Sequence, residues 1–219
     1  MSDLALVCGG SGVLGSTLVE AFVARGDRVV VADRAAEADD GEVVMHRAVD
    51  LTSPDAVEAL WDGLDERPRW VVNAVGGFRP GRIAESEPGS LGSMLDLNVG
   101  TAWWSCRAAA RRLEAGAAIV NVGARNALTG GVGSAAYTVA KAGVVRLTQL
   151  LAEDLAEKRV RVNAVLPSTI DTPANRASLS SDAIAKAVQP AELAAVVAFL
   201  CSDAASAVTG AIVPVYGWA

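Results

Sequence analysis

Cys8-Gly9-Gly10-Ser11-Gly12-Val13-Leu14-Gly15 is the stretch that decides the fold. It follows the apolar run 4–8 and leads into a helical stripe of Leu14, Leu18, Ala21 and Phe22 that ends on Arg25. Gly10 to Gly15 spells G-x-G-x-x-G between a strand and a helix, the context that gives this pattern weight. Glycine at these places permits a tight turn and lets the backbone approach a pyrophosphate. The helix N-terminal N–H groups and the macrodipole then stabilise the anion. Gly9, Gly10, Ser11, Gly12, Val13, Leu14 and Gly15 are therefore candidate cofactor contacts. The alternative is a glycine turn needed only for packing.

Working outward, the runs 28–32, 43–47, 69–74, 117–122, 161–166 and 211–215 read as further strands. Most are β-branched and lack alternation, as expected of strands buried on both faces of a parallel sheet. Helical spacing fills 54–64, 91–113, 135–157 and 190–200. This βαβα order predicts an α/β, Rossmann-type doubly wound parallel sheet of about seven strands, in a single domain over 1–219. The irregular stretches 35–42, 76–89 and 168–189 follow strands, where open α/β sheets hold their ligands. The last is the expected substrate lid, read as the only long unstructured run there.

Composition narrows the function classes. Of 219 residues, 52% are apolar, which allows a sizeable core and argues against disorder. Nineteen basic against 25 acidic residues leave a net charge of −6, which disfavours nucleic-acid binding. The single histidine, His46, makes a Ser-His-Asp triad or a histidine-rich metal site a poor fit, so no metal is expected. Cys8, Cys106 and Cys201 are sparse and unpaired in sequence, as in a cytoplasmic protein with reduced thiols. The N-terminus lacks the pattern of a signal peptide, and no apolar run is long enough to span a membrane.

The second strand ends at Ala32-Asp33, 18 residues beyond Gly15. A carboxylate there accepts from an adenosine ribose 2′-OH and repels a 2′-phosphate, which predicts NAD(H) over NADP(H). Arg34 cuts the other way, since a guanidinium binds such a phosphate. Asp50-Leu51 reads either as an adenine-edge contact or as a turn before the next helix. Tyr137 and Lys141 stand at i and i+4 and share a helix face. A nearby ammonium lowers a phenol's pKa, so the pair is expected to exchange a proton while a hydride moves.

Together these residues resemble the short-chain dehydrogenase/reductase superfamily over essentially the whole chain. The likeness implies an NAD(P)-dependent oxidoreductase with Tyr137 as proton donor and Lys141 as its tuner, the lysine also bonding the nicotinamide ribose. Val72-Asn73-Ala74-Val75-Gly76 is similar to the family's NNAG motif, so Asn73, Ala74, Val75 and Gly76 would border the cofactor. Asn98, in Leu97-Asn98-Val99, matches its helix asparagine, whose role there is to hold a proton-relay water near the lysine. Ile119-Val120-Asn121-Val122 is similar to its fifth strand, with Val122 taken as a cofactor contact. The segment 163–172 resembles N-A-x-x-P-G-x-[IV]-x-T, with Ser168 where glycine is usual. There Pro167, the Ile170 backbone and the Thr172 hydroxyl would hold the nicotinamide carboxamide and phosphates. Thr172-Pro173 also reads as a helix cap.

Two departures are informative. The glycine loop is not the usual TGxxxGxG, and the usual catalytic serine, 13 residues before the tyrosine, is replaced by Ala124. Within the superfamily, the segments 9–16, 123–128, Gly76-Gly77-Phe78 and 165–176 look most like the dihydropteridine reductases. Asn98 instead looks like the wider superfamily, and Phe78 stands where those relatives tend to have tryptophan. The resemblance implies reduction by NADH of a quinonoid or imine-like acceptor such as quinonoid dihydropterin, beside Phe78, Ala124, Asn126 and Thr169. Such an acceptor takes hydride with little polarisation. The alternatives are a general carbonyl reductase or alcohol dehydrogenase, with Asn126, Thr169 or Ser168 replacing the serine, and a non-catalytic NAD-binding sensor. The apolar helices 91–113 and 135–157 imply a homodimer or homotetramer. Trp103-Trp104 is placed either in that interface or in the core, and Tyr216 and Trp218 over the site or a neighbouring subunit.

Overall fold

The computed structural model describes residues 2–36 and 39–218, so part of the expected irregular stretch 35–42 lies outside the described residues. The chain runs β1 (Leu4–Cys8), α1 (Val13–Ala24), β2 (Arg28–Asp33), β3 (Asp39–Asp40), β4 (Val44–Ala48), α2 (Pro54–Asp62), β5 (Trp70–Asn73) and α3 (Ser90–Leu95). It continues through α4 (Thr101–Arg112), β6 (Ala118–Val122), α5 (Asn126–Thr129), α6 (Ala135–Asp154), β7 (Arg161–Pro167), α7 (Pro173–Ser178), α8 (Ser181–Ala185), α9 (Pro190–Leu200) and β8 (Ile212–Val215).

The sheet order is β3-β4-β2-β1-β5-β6-β7-β8, parallel throughout except β3. The seven strands read from sequence are all present. The eighth, β3, is a two-residue antiparallel edge pairing Asp39 with His46, too short to leave a hydrophobic period. The chain leaves β1 toward β2 and returns to β5 on its other side. That reversal opens a crevice at the strands' carboxyl ends.

Strand residues feed two cores by alternation. Leu4, Leu6 and Cys8 join the layer under α2, α4 and α6, while Ala5 and Val7 join the layer under α1 and α9. Burial on both faces is what the unbroken apolar runs require. Ser53 caps α2 and Thr172 caps α7, each ahead of a proline at the first helical position. Among the described residues no helix is long and apolar enough to cross a membrane.

Three sequence expectations are corrected. The helix expected over 91–113 is interrupted by a π turn at Asp96–Gly100, which carries Asn98. The helix expected over 135–157 ends at Asp154, and the chain turns back at Arg159 in the left-handed region (φ 54°). The stretch 168–189 is not unstructured: α7 and α8 occupy much of it. Five- and six-residue helices carry too few apolar positions to show a period, and their caps set them instead. The tryptophan pair is split, with Trp103 exposed and Trp104 packed against the core.

Candidate functional site

The glycine loop is built by exclusion. Gly9 has φ +86°, and a Cβ there would stand 2.9 Å from the Val75 nitrogen. A Cβ on Gly10 would stand 2.8 Å from Val31 Cγ1, and one on Gly15 would collide with the Gly9 carbonyl oxygen. Gly10 and Gly15 are buried, so their part is to let α1 and β2 close on the loop. Gly12 opens α1 without a side-chain cap, which leaves its first-turn amides facing the crevice end.

A cavity of about 300 Å³ lies over this loop, lined by Gly9, Gly12, Asp33, Arg34, Asp50, Leu51, Ala74, Val75 and Gly76. Val49, Thr52, Leu97 and Thr101 also line it. Sequence reasoning missed these four. Val49 and Thr52 flank Asp50-Leu51, so the whole βα loop was the unit to read. Leu97 and Thr101 straddle Asn98 at a four-residue spacing and share its turn. Asp33 takes the Ser11 N–H at 3.3 Å and the Ala35 N–H at 3.1 Å, which fixes its carboxylate at the crevice wall. Asp50 closes its own turn, accepting from the Thr52 N–H and hydroxyl, and these bonds lower its pKa. The turn reading of Asp50 therefore holds while the residue still lines the cavity.

Asn73 sits beneath the cavity rather than in it. It is buried and donates to Asn121 Oδ1 at 2.8 Å and to Cys106 Sγ. Asn121 in turn donates to Thr148 at 2.9 Å, so a polar seam ties β5 and β6 to α6. Val122 contributes its carbonyl, which accepts from Lys141 Nζ at 2.9 Å. Pro167 is buried, and its carbonyl accepts the Arg125 N–H. The Thr172 hydroxyl caps α7 by accepting from the Asn175 N–H, and the Ile170 carbonyl accepts from Asn175 Nδ2.

The catalytic candidates meet at Gly76. A Cβ there would stand 2.8 Å from Asn98 Oδ1 and 3.0 Å from Lys141 Nζ, so only glycine lets both reach the cavity edge. Asn98 is locked by exchanging hydrogen bonds with Gly77, accepting from its N–H and donating to its carbonyl. Lys141 is 5% exposed. Its nitrogen lies 6.0 Å from the Tyr137 ring centroid, and the Tyr137 ring meets Phe78 edge-on at 5.1 Å. Phe78 itself is 63% exposed and rims the mouth.

The expected lowering of the phenol is corrected here. Burial pushes Tyr137 up to about 12, and the same burial brings Lys141 down to about 8. Desolvation disfavours both charged forms, and it alone sets the direction of each shift. At neutral pH both groups hold their protons. Beyond Tyr137, Ala124 is buried at the end of β6. Asn126 Nδ2 donates to Ser134 Oγ, and Ser168 Oγ donates to the Tyr216 carbonyl. Thr169 is the one proposed serine substitute whose hydroxyl makes no hydrogen bond among the described residues.

Comparison with known proteins gives a consistent picture. A family model described as Enoyl-(Acyl carrier protein) reductase matches residues 11–217. Carbonyl reductase family member 4 of Danio rerio is 30% identical over 234 aligned positions, which cover 99% of this chain and 98% of that protein. Cis-4-hydroxycyclohexanecarboxylate dehydrogenase of Sinomonas cyclohexanicum is 34% identical, over 98% of this chain and 95% of its own. Among solved structures, a short chain dehydrogenase family protein from Francisella tularensis superposes with a TM-score of 0.88 at 28% identity, covering 99% and 98% of the two chains. Ligand-free aldohexose dehydrogenase of Thermoplasma acidophilum superposes with a TM-score of 0.87 at 28% identity, covering 99% and 93%.

Proposed function

This chain belongs to the short-chain dehydrogenase/reductase superfamily and is an oxidoreductase; from that premise we propose that it reduces an electron-poor, quinonoid or imine-like acceptor, such as quinonoid dihydropterin, at the expense of NADH. The non-catalytic sensor reading is set aside, because the relatives are dehydrogenases and reductases.

The residues present suit a dinucleotide. The close approaches at Gly9, Gly15 and Gly76 form a cradle that any Cβ would fill, and the first-turn amides of α1 suit a diphosphate. The fixed Asp33 carboxylate favours a free ribose hydroxyl over a 2′-phosphate, which supports NAD(H) preference. When bound, a nicotinamide cofactor supplies the hydride. Lys141, whose Nζ lies beside Gly76, would hold the adjoining ribose. Tyr137 gives its hydroxyl proton to the acceptor's nitrogen or oxygen, and a phenol held near about 12 is fully protonated for that task. The Lys141 charge then stabilises the phenolate until a proton returns from water.

The observation that carries the acceptor class is Ala124. Loss of a polarising donor costs about 10²–10³ in kcat on an unactivated carbonyl. The neighbouring Asn126 and Ser168 are already engaged within the protein. An acceptor that needs little polarisation fits such a site. The relatives' names favour a second reading, a carbonyl reductase or alcohol dehydrogenase with Thr169 as the donor. NADH oxidation measured with quinonoid dihydropterin against a panel of ketones and quinones separates the two. Faster turnover of simple ketones overturns the first.

The same reading includes a homodimer or homotetramer through α4 and α6, whose Trp103, Val139 and Leu150 are exposed in the single chain. It also includes a cytoplasmic location, with the three buried cysteines kept as thiols.

A further inference from the structure

Most guanidinium groups in this protein are tied down. Arg69 pairs with Asp3 and Asp203, and Arg112 with Glu58 and Asp62. Arg79, Arg82 and Arg125, like Arg34, Arg146, Arg159 and Arg161, have no carboxylate partner among the described residues; these three are the ones placed on the loops around Tyr137. Arg79 follows Phe78, whose ring touches Tyr137. Arg82 follows Gly81, which exchanges backbone hydrogen bonds with Gly133 and Ala135, the latter two residues before Tyr137. Arg125 follows Ala124.

Arg125 is the best-held of the three. Its N–H donates to the Pro167 carbonyl, and its guanidinium carbon lies 5.3 Å from the centre of the Tyr216 ring. It is half-buried, and among the described residues no acceptor takes its side-chain donors. A guanidinium held over a ring by its charge still has N–H donors to offer, and that fork can grip a carboxylate with two parallel bonds. A partly desolvated charge without a partner is costly unless something pairs with it.

The surroundings point the same way. Residues 76–84 and 123–137 carry three arginines and no aspartate or glutamate, the next acidic residues being the exposed Glu85 and Glu87, while the whole chain carries a net charge of −6. That overall charge repels an anionic substrate, so a locally positive mouth is what admits one. On the same two loops Ile83 is 84% and Val132 94% exposed, so the arginines alternate with uncovered apolar side chains.

We propose that Arg125, held over the Tyr216 ring, binds a carboxylate on the substrate, with Arg79 and Arg82 adding positive charge on the loops around Tyr137, so that the acceptor is an apolar or flat body ending in a carboxylate, with its reducible group at Tyr137. This rests on the oxidoreductase site proposed above and names its substrate class.

Two matched pairs test it with NADH: 4-acetylbenzoate against its methyl ester, and a 1,4-naphthoquinone bearing a ring carboxylate against its methyl ester. In each turned-over pair the acid is expected to exceed the ester in kcat/KM by about tenfold or more, mainly through KM. The advantage shrinks as salt rises from about 0.05 to 0.5 M. In Arg125→Met the acid-to-ester ratio collapses toward one, in Arg125→Lys part of it returns, and Tyr216→Leu lowers it while leaving every charge in place. Equal or ester-favouring turnover by the wild type, or a ratio that survives Arg125→Met, overturns the proposal. If neither pair is turned over, the catalytic reading fails separately. The anion site is then read by calorimetric titration of 4-acetylbenzoate and its ester into the protein with NADH, where equal affinities overturn it.

Discussion

Gly10 packs so closely on Val31 that one added methyl would stand 2.8 Å from its Cγ1, whereas Tyr137, at the other end of the crevice, leans on a largely exposed Phe78. The floor of the site works because atoms are absent: Gly9, Gly15 and Gly76 each mark a place where backbone or side chain fills the room of a Cβ. The catalytic mouth works because particular polar atoms are present, the Tyr137 oxygen and the Lys141 nitrogen, set in a partly dry environment that shifts both. The floor should break on adding a carbon, and the mouth on removing an oxygen or a charge.

The largest effect is expected at the mouth. Tyr137→Phe removes the only proton donor assigned to the step and is expected to lower kcat about 10²–10⁴-fold. NADH affinity, read by quenching or calorimetry, should stay within about twofold, because the floor is untouched. Joint loss of both would mean that the two regions do not separate. The converse change is Gly15→Ala. Its Cβ would collide with the Gly9 carbonyl oxygen, so the loop must shift away from the cavity. Overpacking of this kind costs about 1–3 kcal/mol, and NADH affinity is expected to fall by about 10–100-fold. Retained affinity would show that the loop has slack, and the contrast would fail.

This difference also explains what the sequence revealed. Steric exclusion leaves glycine as the one residue that fits, so the loop at Gly9–Gly15, the crevice and the doubly wound sheet were legible from residue types alone. The π turn at Asn98 was not, because an α-helical period over 91–113 passes through it without a break. Tyr137 and Lys141 were legible as a pair, but the direction of the phenol's shift was not. Spacing places the ammonium nearby, yet how dry the site is depends on Val122, Phe78 and the packing of α6 on the sheet. The unpaired Arg125 was invisible for the same reason, since only the fold shows which arginines find a carboxylate.

Lys141 sharpens the comparison through pH, because activity and stability should move in opposite directions. Burial brings its pKa from an ordinary value of 10.5 down to about 8. Above about 8 the folded lysine loses its proton and no longer stabilises the phenolate, so kcat/KM is expected to fall about tenfold per pH unit. In the same window the unfolded chain still binds that proton. Stability therefore rises with pH, by at most about 1.4 kcal/mol per unit, until the unfolded lysine also titrates. Urea unfolding of the wild type and Lys141→Met at about pH 8 and pH 10 reads this. The wild type should gain on the variant at the higher pH, and parallel behaviour would remove Lys141 as the source.

The smallest effect is expected where the mouth borrows the floor's rigidity. Asp171, nearly buried, accepts from Arg176 Nη2 at 2.7 Å and Gln189 Nε2 at 3.0 Å, and so ties α7 to the start of α9 across the 168–189 segment. The Arg176 and Gln189 bonds hold its pKa down to about 2. Asp171→Asn keeps one acceptor and the shape but loses the charge, and Arg176 is itself solvent-exposed, so the change should be mild. KM is expected to rise about two- to fivefold, with a Tm lower by a few degrees. A carboxylate with a depressed pKa contributes at every pH above it and fails only as pH falls through that value. The wild-type-to-variant KM ratio should therefore stay flat from about pH 8 down to about pH 3.5, and a ratio that already closes between about pH 5 and about pH 3.5 would mean that the clamp titrates as an ordinary carboxylate and does not hold α7 to α9.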